Sequence, residues 1–197
     1  MSGRRAPACA EFAPAKGNFA VAATAFETHA AKAEADLANK QYQEALDGFQ
    51  KAKAIRGEDA RIEFGIGASL ARMEHASAES HLRRALQLSP GMVKANLELG
   101  RLFTVLKRKY DAIEAYQAAL KQDPDNVSAR PLLAKQLQGV KRYDEAMAVV
   151  ARAIEIEPEN AAALKRYALL LSQSEKHDAA IAHAKKACDV AAKDPDA

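Results

Sequence analysis

Two pairs of histidines have the spacing that most nearly suggests a metal or catalytic site. His75 and His81 are six residues apart, and so are His177 and His183. Six residues rotate a helix by about 600°, so the two rings of a pair point in different directions and cannot share a metal ion. The sequence therefore predicts no metal site at either pair.

Helix packing and capping explain the other candidates for chemistry. Gly65-Ile66-Gly67 begins like a nucleotide-binding loop, but Leu70 occupies the place of the third glycine and no strand precedes it. Asp123 and Asp125 flank a proline, where charged helix caps are expected. Neither Cys188 nor any serine has the signature of a nucleophile. We therefore predict a protein without catalytic residues, cofactor or metal.

The elements that carry these residues repeat along the chain. Pro90, Pro124 and Pro158 stand 34 residues apart, and each follows an apolar stretch with the periodicity of a helix. Two helices are predicted in each interval, for example on either side of a turn at Lys107 to Lys109. A fixed period of this length indicates one supersecondary unit that is copied and stacked.

The unit resembles the tetratricopeptide repeat, a helix-turn-helix of about 34 residues. The resemblance rests on one copy with the residues Leu99, Gly100, Phe103, Ala112, Tyr116, Ala119 and Pro124. Asn96 stands where the family usually has tryptophan. Four other copies match less completely, and the second is one residue short at the turn of Glu74 and His75. The resemblance implies an all-α fold, a right-handed α-solenoid of about five helix-turn-helix units.

The copies cover nearly the whole chain and predict a single solenoid at residues 18–192. The predicted repeats are approximately 26–57, 59–90, 93–124, 127–158 and 161–192. Residues 1–17 lack periodicity and are expected to form a disordered leader, and 193–197 a tail. Pro131 lies about one turn into the fourth unit, where its ring opposes the carbonyl of Val127. We therefore expect a late start or a kink there.

In the tetratricopeptide family, the first helices of successive repeats line a concave groove that holds a peptide or helix of a partner. By this resemblance, the groove residues are Phe64, Lys94, Leu97, Glu98, Arg101, Leu132, Lys135, Lys165, Arg166 and Leu169. Cations prevail in the C-terminal half, whereas the N-terminal end is more acidic. Clustered cations bind carboxylates through charge-assisted hydrogen bonds, so an acidic partner segment is expected. An ordinary solvated face of mixed charge is the alternative.

The turns inside the repeats predict a second surface. Stacking would align their cations into a basic ridge of Lys107, Arg108, Lys109, Lys141 and Arg142. These cations either complete helix ends or contact an acidic protein, nucleic acid or anionic lipid. The net charge of only +3 and the lack of a basic-aromatic platform argue against specific nucleic-acid binding.

The ends of the chain bear on assembly and compartment. Cys9 and Cys188 are the only cysteines, so no disulfide framework is expected, and no run approaches the roughly 20 apolar residues of a transmembrane helix. Ile181, Cys188 and Val190 are expected to stay exposed, which offers the terminal helices for homo-oligomer formation. A cytoplasmic location is the default, and the bacterial envelope or an organelle is the alternative if a leader has been removed.

These features together predict a non-catalytic scaffold or adaptor that binds a protein partner in its concave groove. The alternative is a regulatory or assembly module of a larger enzyme, secretion or envelope complex. Direct nucleic-acid binding is the least favoured hypothesis.

Overall fold

The computed structural model describes residues 16–193, and the side chains of 20–192. In this range the chain forms ten α-helices and no strand. The helices are α1 Lys16–Ala38, α2 Tyr42–Arg56, α3 Ala60–Arg72, α4 Ala78–Leu88, α5 Val93–Val105, α6 Lys109–Gln122, α7 Ala129–Gly139, α8 Tyr143–Ile156, α9 Ala161–Gln173 and α10 His177–Lys193. Each odd-numbered helix packs on the helix that follows it, and each pair packs on the next pair. The predicted all-α solenoid of five helix-turn-helix units is confirmed.

The predicted leader at 1–17 lies outside the described residues except for Lys16 and Gly17, which open α1. Of the predicted tail at 193–197, only Lys193 is described. The first helix of the array is longer than its counterparts, with 23 residues against 13 in α3, α5 and α9. Within the described part, no helix is long and apolar enough to cross a membrane.

Every first helix ends in the same left-handed turn. The second residue beyond each helix has a φ between 56° and 63°, and these residues are Lys40, Glu74, Lys107, Lys141 and Glu175. The next backbone N–H returns to a carbonyl of the helix, as in the 2.8 Å bond from Arg108 to Phe103. This is the hydrogen bond of a Schellman motif, which usually places glycine at the left-handed position.

Glycines let the helices approach closely in the first three units. A Cβ on Gly100 would lie 2.5 Å from the Tyr116 ring, and one on Gly67 would lie 2.8 Å from Leu82. Gly65 makes the same kind of space across a repeat boundary, because its Cβ would lie 2.3 Å from the Phe49 ring. Buried large side chains therefore occupy the volume that these glycines leave.

The late start predicted at Pro131 is confirmed. Helices α5 and α9 begin at Val93 and Ala161, whereas α7 begins at Ala129, two positions later in the 34-residue register. Pro131 thus falls in the first turn, where its missing N–H leaves no helical hydrogen bond unmade. Asn126 supplies the acceptor for the delayed start, since its Oδ1 receives the Ala129 N–H at 3.0 Å.

Candidate functional site

The first helices lie along one face of the solenoid, and their contacts are interrupted between the third and fourth repeats. Helix α1 contacts α3, α3 contacts α5, and α7 contacts α9, but α5 and α7 approach each other less. All ten predicted groove residues lie on α3, α5, α7 and α9. The break lies beside the late start of α7 and separates α1, α3 and α5 from α7 and α9.

A small depression in the N-terminal half brings two of the predicted residues together. Phe64 and Glu98 line it with Arg72, a residue that the sequence did not single out. Glu98 is buried and accepts hydrogen bonds from Arg72 Nη2 at 2.9 Å and Arg101 Nη1 at 2.7 Å. Its carboxylate therefore holds two guanidinium groups. The Arg72 contact joins residues 26 positions apart on different repeats, and no feature of either repeat alone predicts it.

The acidic N-terminal end of this face is neutralised internally. Arg61 lies 2.8 Å from a carboxylate oxygen of Glu27 and 3.4 Å from one of Glu34. The hydrogen bond from Arg61 to Glu27 raises the pKa of the guanidinium above its usual value. Arg56 stacks over the Phe26 ring at 4.9 Å. This end is therefore a network of paired charges and not a negative patch.

Two lysines on either side of the break have no acidic partner. Lys94 on α5 and Lys135 on α7 are exposed, and no carboxylate among the described side chains lies within 4 Å of either ammonium group. Leu97 and Leu132 are half-buried and lie one helical turn from these lysines. The first helices of the third and fourth repeats therefore combine unpaired positive charge with partly buried apolar side chains.

The remaining predicted groove residues have two different environments. Arg166 is half-buried and donates to Gln138 Oε1 at 3.1 Å, and Gln138 in turn donates to Gln173 at 2.8 Å. These bonds join α7 to α9. Lys165 and Leu169 line a separate apolar groove between α9 and α10, at the C-terminal end of the described array.

The basic ridge is largely neutralised by its own surroundings. Arg108 contacts Asp111 and Glu79, each at 2.7 Å, and lies over the Phe103 ring. Arg142 pairs with Glu145 in the same way at 2.6 Å.

The lysines of the ridge divide into two kinds. Lys109 donates to the Gly139 carbonyl of the next repeat at 2.9 Å. Lys107 and Lys141 make neither a salt bridge nor a side-chain hydrogen bond with any described residue. The ridge therefore has less available charge than its sequence suggests.

A buried ionic cluster lies between the first and second repeats and was missed in the sequence. Glu63 is only 1% exposed, with Lys53 Nζ 2.5 Å from one carboxylate oxygen and His81 Nδ1 2.7 Å from the other. Burial disfavours the carboxylate, but the bonds from His81 and Lys53 hold the pKa of Glu63 below its usual value. Lys53, Glu63 and His81 come from three helices, so these contacts join α2, α3 and α4.

One signal in the sequence does point to this cluster. Glu63 stands in the same register position as Asn96, which replaces the tryptophan usual in the repeat. A polar residue at a buried register position needs a partner from a neighbouring helix. The identity of that partner depends on the stacking geometry.

The comparison with known proteins decides the family. The model of the tetratricopeptide repeat matches residues 69–135 and 107–166. The chain is a tetratricopeptide repeat protein. Its family consists in general of non-catalytic modules for protein interaction, which supports that general class of function here. No curated protein matches its sequence.

Solved structures share the fold along nearly the whole chain. MamA from Desulfovibrio magneticus RS-1, from position 41 to its end, has a TM-score of 0.77 at 17% identity, covering 88% of this chain and 98% of that one. YrrB, described as a TPR protein with an unusual peptide-binding site, has a TM-score of 0.69 at 21% identity, covering 85% and 86%. At these identities the likeness shows the tetratricopeptide fold alone.

Proposed function

We propose that the protein is a non-catalytic scaffold that binds an acidic partner segment on its concave face, at the first helices of the third and fourth repeats. The observation that carries the proposal is the contrast in pairing between the N-terminal end of this face and these two helices. Among the described side chains, Glu27 and Glu34 are held by Arg61, whereas Lys94 and Lys135 have no carboxylate neighbour. Positive charge without an internal partner favours an external carboxylate.

The apolar residues beside these cations suit a short amphipathic segment. Leu97 lies three residues from Lys94, and Leu132 lies three residues from Lys135, so each cation has an aliphatic neighbour on its helix. A peptide with carboxylates next to apolar side chains would contact both kinds of group. The peptide-binding site named for YrrB is a precedent on the same fold.

The test compares two double variants with the same change in charge. A fluorescent peptide that alternates acidic and leucine positions at helical spacing is titrated with wild type, with Lys94→Glu/Lys135→Glu, and with the ridge variant Lys107→Glu/Lys141→Glu. We expect the first variant to bind about tenfold or more weakly than wild type, and the ridge variant to bind as wild type does. Fluorescence anisotropy at two salt concentrations measures both effects.

Two outcomes would reject the proposal. Equal weakening in both variants would show that only net charge matters. Failure of the wild type to prefer the acidic peptide over its glutamine-substituted counterpart would remove the carboxylate as the recognised group. Lys165 and Arg166 are left unchanged, so the result does not depend on the apolar groove between α9 and α10, called the terminal groove below.

A specific observation also favours a second function, that of an assembly module. The apolar groove between α9 and α10 and the outer side of α1 are exposed at opposite ends of the described array. Such surfaces suit a subunit of a larger complex better than an isolated adaptor.

A further inference from the structure

The terminal groove is a repeat junction on which no further repeat of the described residues packs. It lies between α9 and α10, has a volume of about 660 Å³ and is lined mainly by alanine and aliphatic side chains. Leu169 on one wall is 47% exposed, and Ile181 on the other is 53% exposed. As the sequence predicted, Ile181 and Cys188 remain exposed, while Val190 is partly covered. No described helix covers this groove.

The preceding junction shows what kind of element fits there. Met147, Val150 and Ile154 stand 34 residues before Ile181, Ala184 and Cys188. These three residues belong to the core or pack against it, and Val150 is fully buried. Helix α9, the first helix of the next repeat, packs on α8, and Ser174 just beyond its end reaches the Met147 sulfur at 3.9 Å. The groove therefore has the form of a site for the first helix of a repeat.

The chain carries such a helix with an uncovered apolar side. Ala20, Val21, Thr24, Ala25, Thr28 and His29 line a shallow groove on α1 to which no other described element contributes. Thr24 and Thr28 donate their hydroxyls to the carbonyls of Ala20 and Thr24, at 2.9 and 2.8 Å. Their hydrogen-bonding capacity is thus used within the helix, and Val21 is 71% exposed.

The lining of the α1 surface contains no lysine or arginine that would repel the cations of α9. Helix α9 carries Lys165 and Arg166 and no acidic residue. The described side chains of α1 include three carboxylates, those of Glu27, Glu34 and Asp36, and one lysine, Lys32. Arg61 engages two of these carboxylates, and Asp36 has no salt bridge among the described residues.

We propose that the terminal groove binds α1 of a second copy of this chain, so that copies stack head to tail. The second copy would continue the 34-residue stacking as a sixth repeat would. Because the contact joins two different surfaces, each added copy presents a new groove and the assembly is open-ended. This contact is separate from the concave face, so its failure would leave the peptide-binding proposal untouched.

The experiment blocks each surface in turn in the full chain. Leu169→Glu/Ile181→Glu places charge in the groove, and Val21→Glu/Thr24→Glu places charge on α1. Val105→Glu/Leu106→Glu is the matched control, because these residues are 59% and 52% exposed and lie on neither surface. Multi-angle light scattering over a concentration series measures assembly, and circular dichroism verifies that each variant is folded.

We expect the mass of the wild type and of the control to rise with concentration beyond that of a dimer. Each blocked variant should self-associate about tenfold or more weakly, because burying an unpaired carboxylate is costly. An equimolar mixture of the two blocked variants should form a one-to-one dimer, since it contains one intact groove and one intact α1.

Several results would overturn the proposal. A wild type that stays monomeric at the highest concentration has no such contact. Assembly of the α1 variant at wild-type strength would mean that something other than α1 covers the groove. A mixture that remains monomeric would point to a groove that pairs with itself. Loss of assembly on deletion of residues 1–15, with the α1 variant still assembling, would make that segment the occupant.

Discussion

The side chains that fill the space between the two helices of a repeat differ between the second and third repeats and the fourth and fifth. In the earlier repeats a large side chain of the second helix lies on a glycine of the first helix. In the later repeats alanine replaces the glycine and a smaller residue replaces the large one. The register-equivalent pairs are Gly67 with Leu82, Gly100 with Tyr116, Ala134 with Val150 and Ala168 with Ala184. The same arrangement of two helices thus holds side chains of different total volume in different repeats.

This difference indicates that stability is distributed unevenly along the array. Tyr116 and Val150 are both fully buried, but tyrosine removes much more surface from water. Ala184, at the same position in the last repeat, is exposed. Because a solenoid is stabilised by each repeat and its neighbours, the C-terminal repeats should unfold before the others.

The largest expected effect comes from truncating the buried second-helix residues Tyr116 and Val150. Tyr116→Ala should lower the free energy of unfolding by about 3 to 5 kcal/mol, because it leaves a cavity above Gly100. Val150→Ala should cost about 2 kcal/mol, since fewer buried groups are lost. Urea unfolding followed by circular dichroism measures both. Equal losses would mean that Tyr116 contributes no more to stability than Val150 despite its larger buried volume.

Adding a side chain at the glycine of the first helix tests whether the close packing against the second helix requires glycine. Gly100→Ala places a Cβ 2.5 Å from the Tyr116 ring, so we expect a loss of about 1 to 3 kcal/mol from overpacking. Gly139→Ala is the control, because its Cβ would lie 3.4 Å from the flexible end of Lys109. That change should raise stability by about 0.4 to 1 kcal/mol. A neutral Gly100→Ala in thermal unfolding would contradict the close-packing account.

A smaller effect is expected at the buried ionic cluster, which has no counterpart in the fifth repeat, where Leu164 occupies the register position of Glu63. The folded pKa of Glu63 lies below its usual value near 4.5, so its charge stabilises the fold above that pH. This contribution is lost as the pH falls through the folded value. Glu63→Gln should cost about 1 to 2 kcal/mol at pH 7, and this cost should shrink as the pH falls through the folded pKa.

Urea titrations between pH 3 and 7 measure this dependence. Glu155→Gln is the matched control, because Glu155 is largely exposed and, among the described residues, forms a salt bridge with Arg152 alone. If Glu63→Gln lost the same stability at every pH, the cost would come from shape or hydrogen bonding and not from the charge.

Much of the fold follows from local features of the sequence. The 34-residue period, the small residues at helix crossings and Pro131 each act through the backbone of one repeat. They predicted the helix pairs, the solenoid and the late start of α7. The tetratricopeptide resemblance also depends on such residues, because Gly100 and Tyr116 meet within a single unit.

The charge pairing of the surfaces required the structure. Arg72 reaches Glu98 and Arg108 reaches Glu79 only because neighbouring repeats stack at a definite angle. The left-handed turns were also missed, since the sequence has Lys or Glu where glycine is expected. The residues that bind a partner depend on which charges stay unpaired, and this cannot be read from one repeat.

The spacing between α5 and α7 has a mechanical consequence. Contacts between the first helices of consecutive repeats limit how far the array can bend toward the face that these helices form. These contacts are weakest between the third and fourth repeats, beside the delayed start at Ala129. We therefore expect the array to bend most easily between its third and fourth repeats, where bending changes the angle between the first helices on either side.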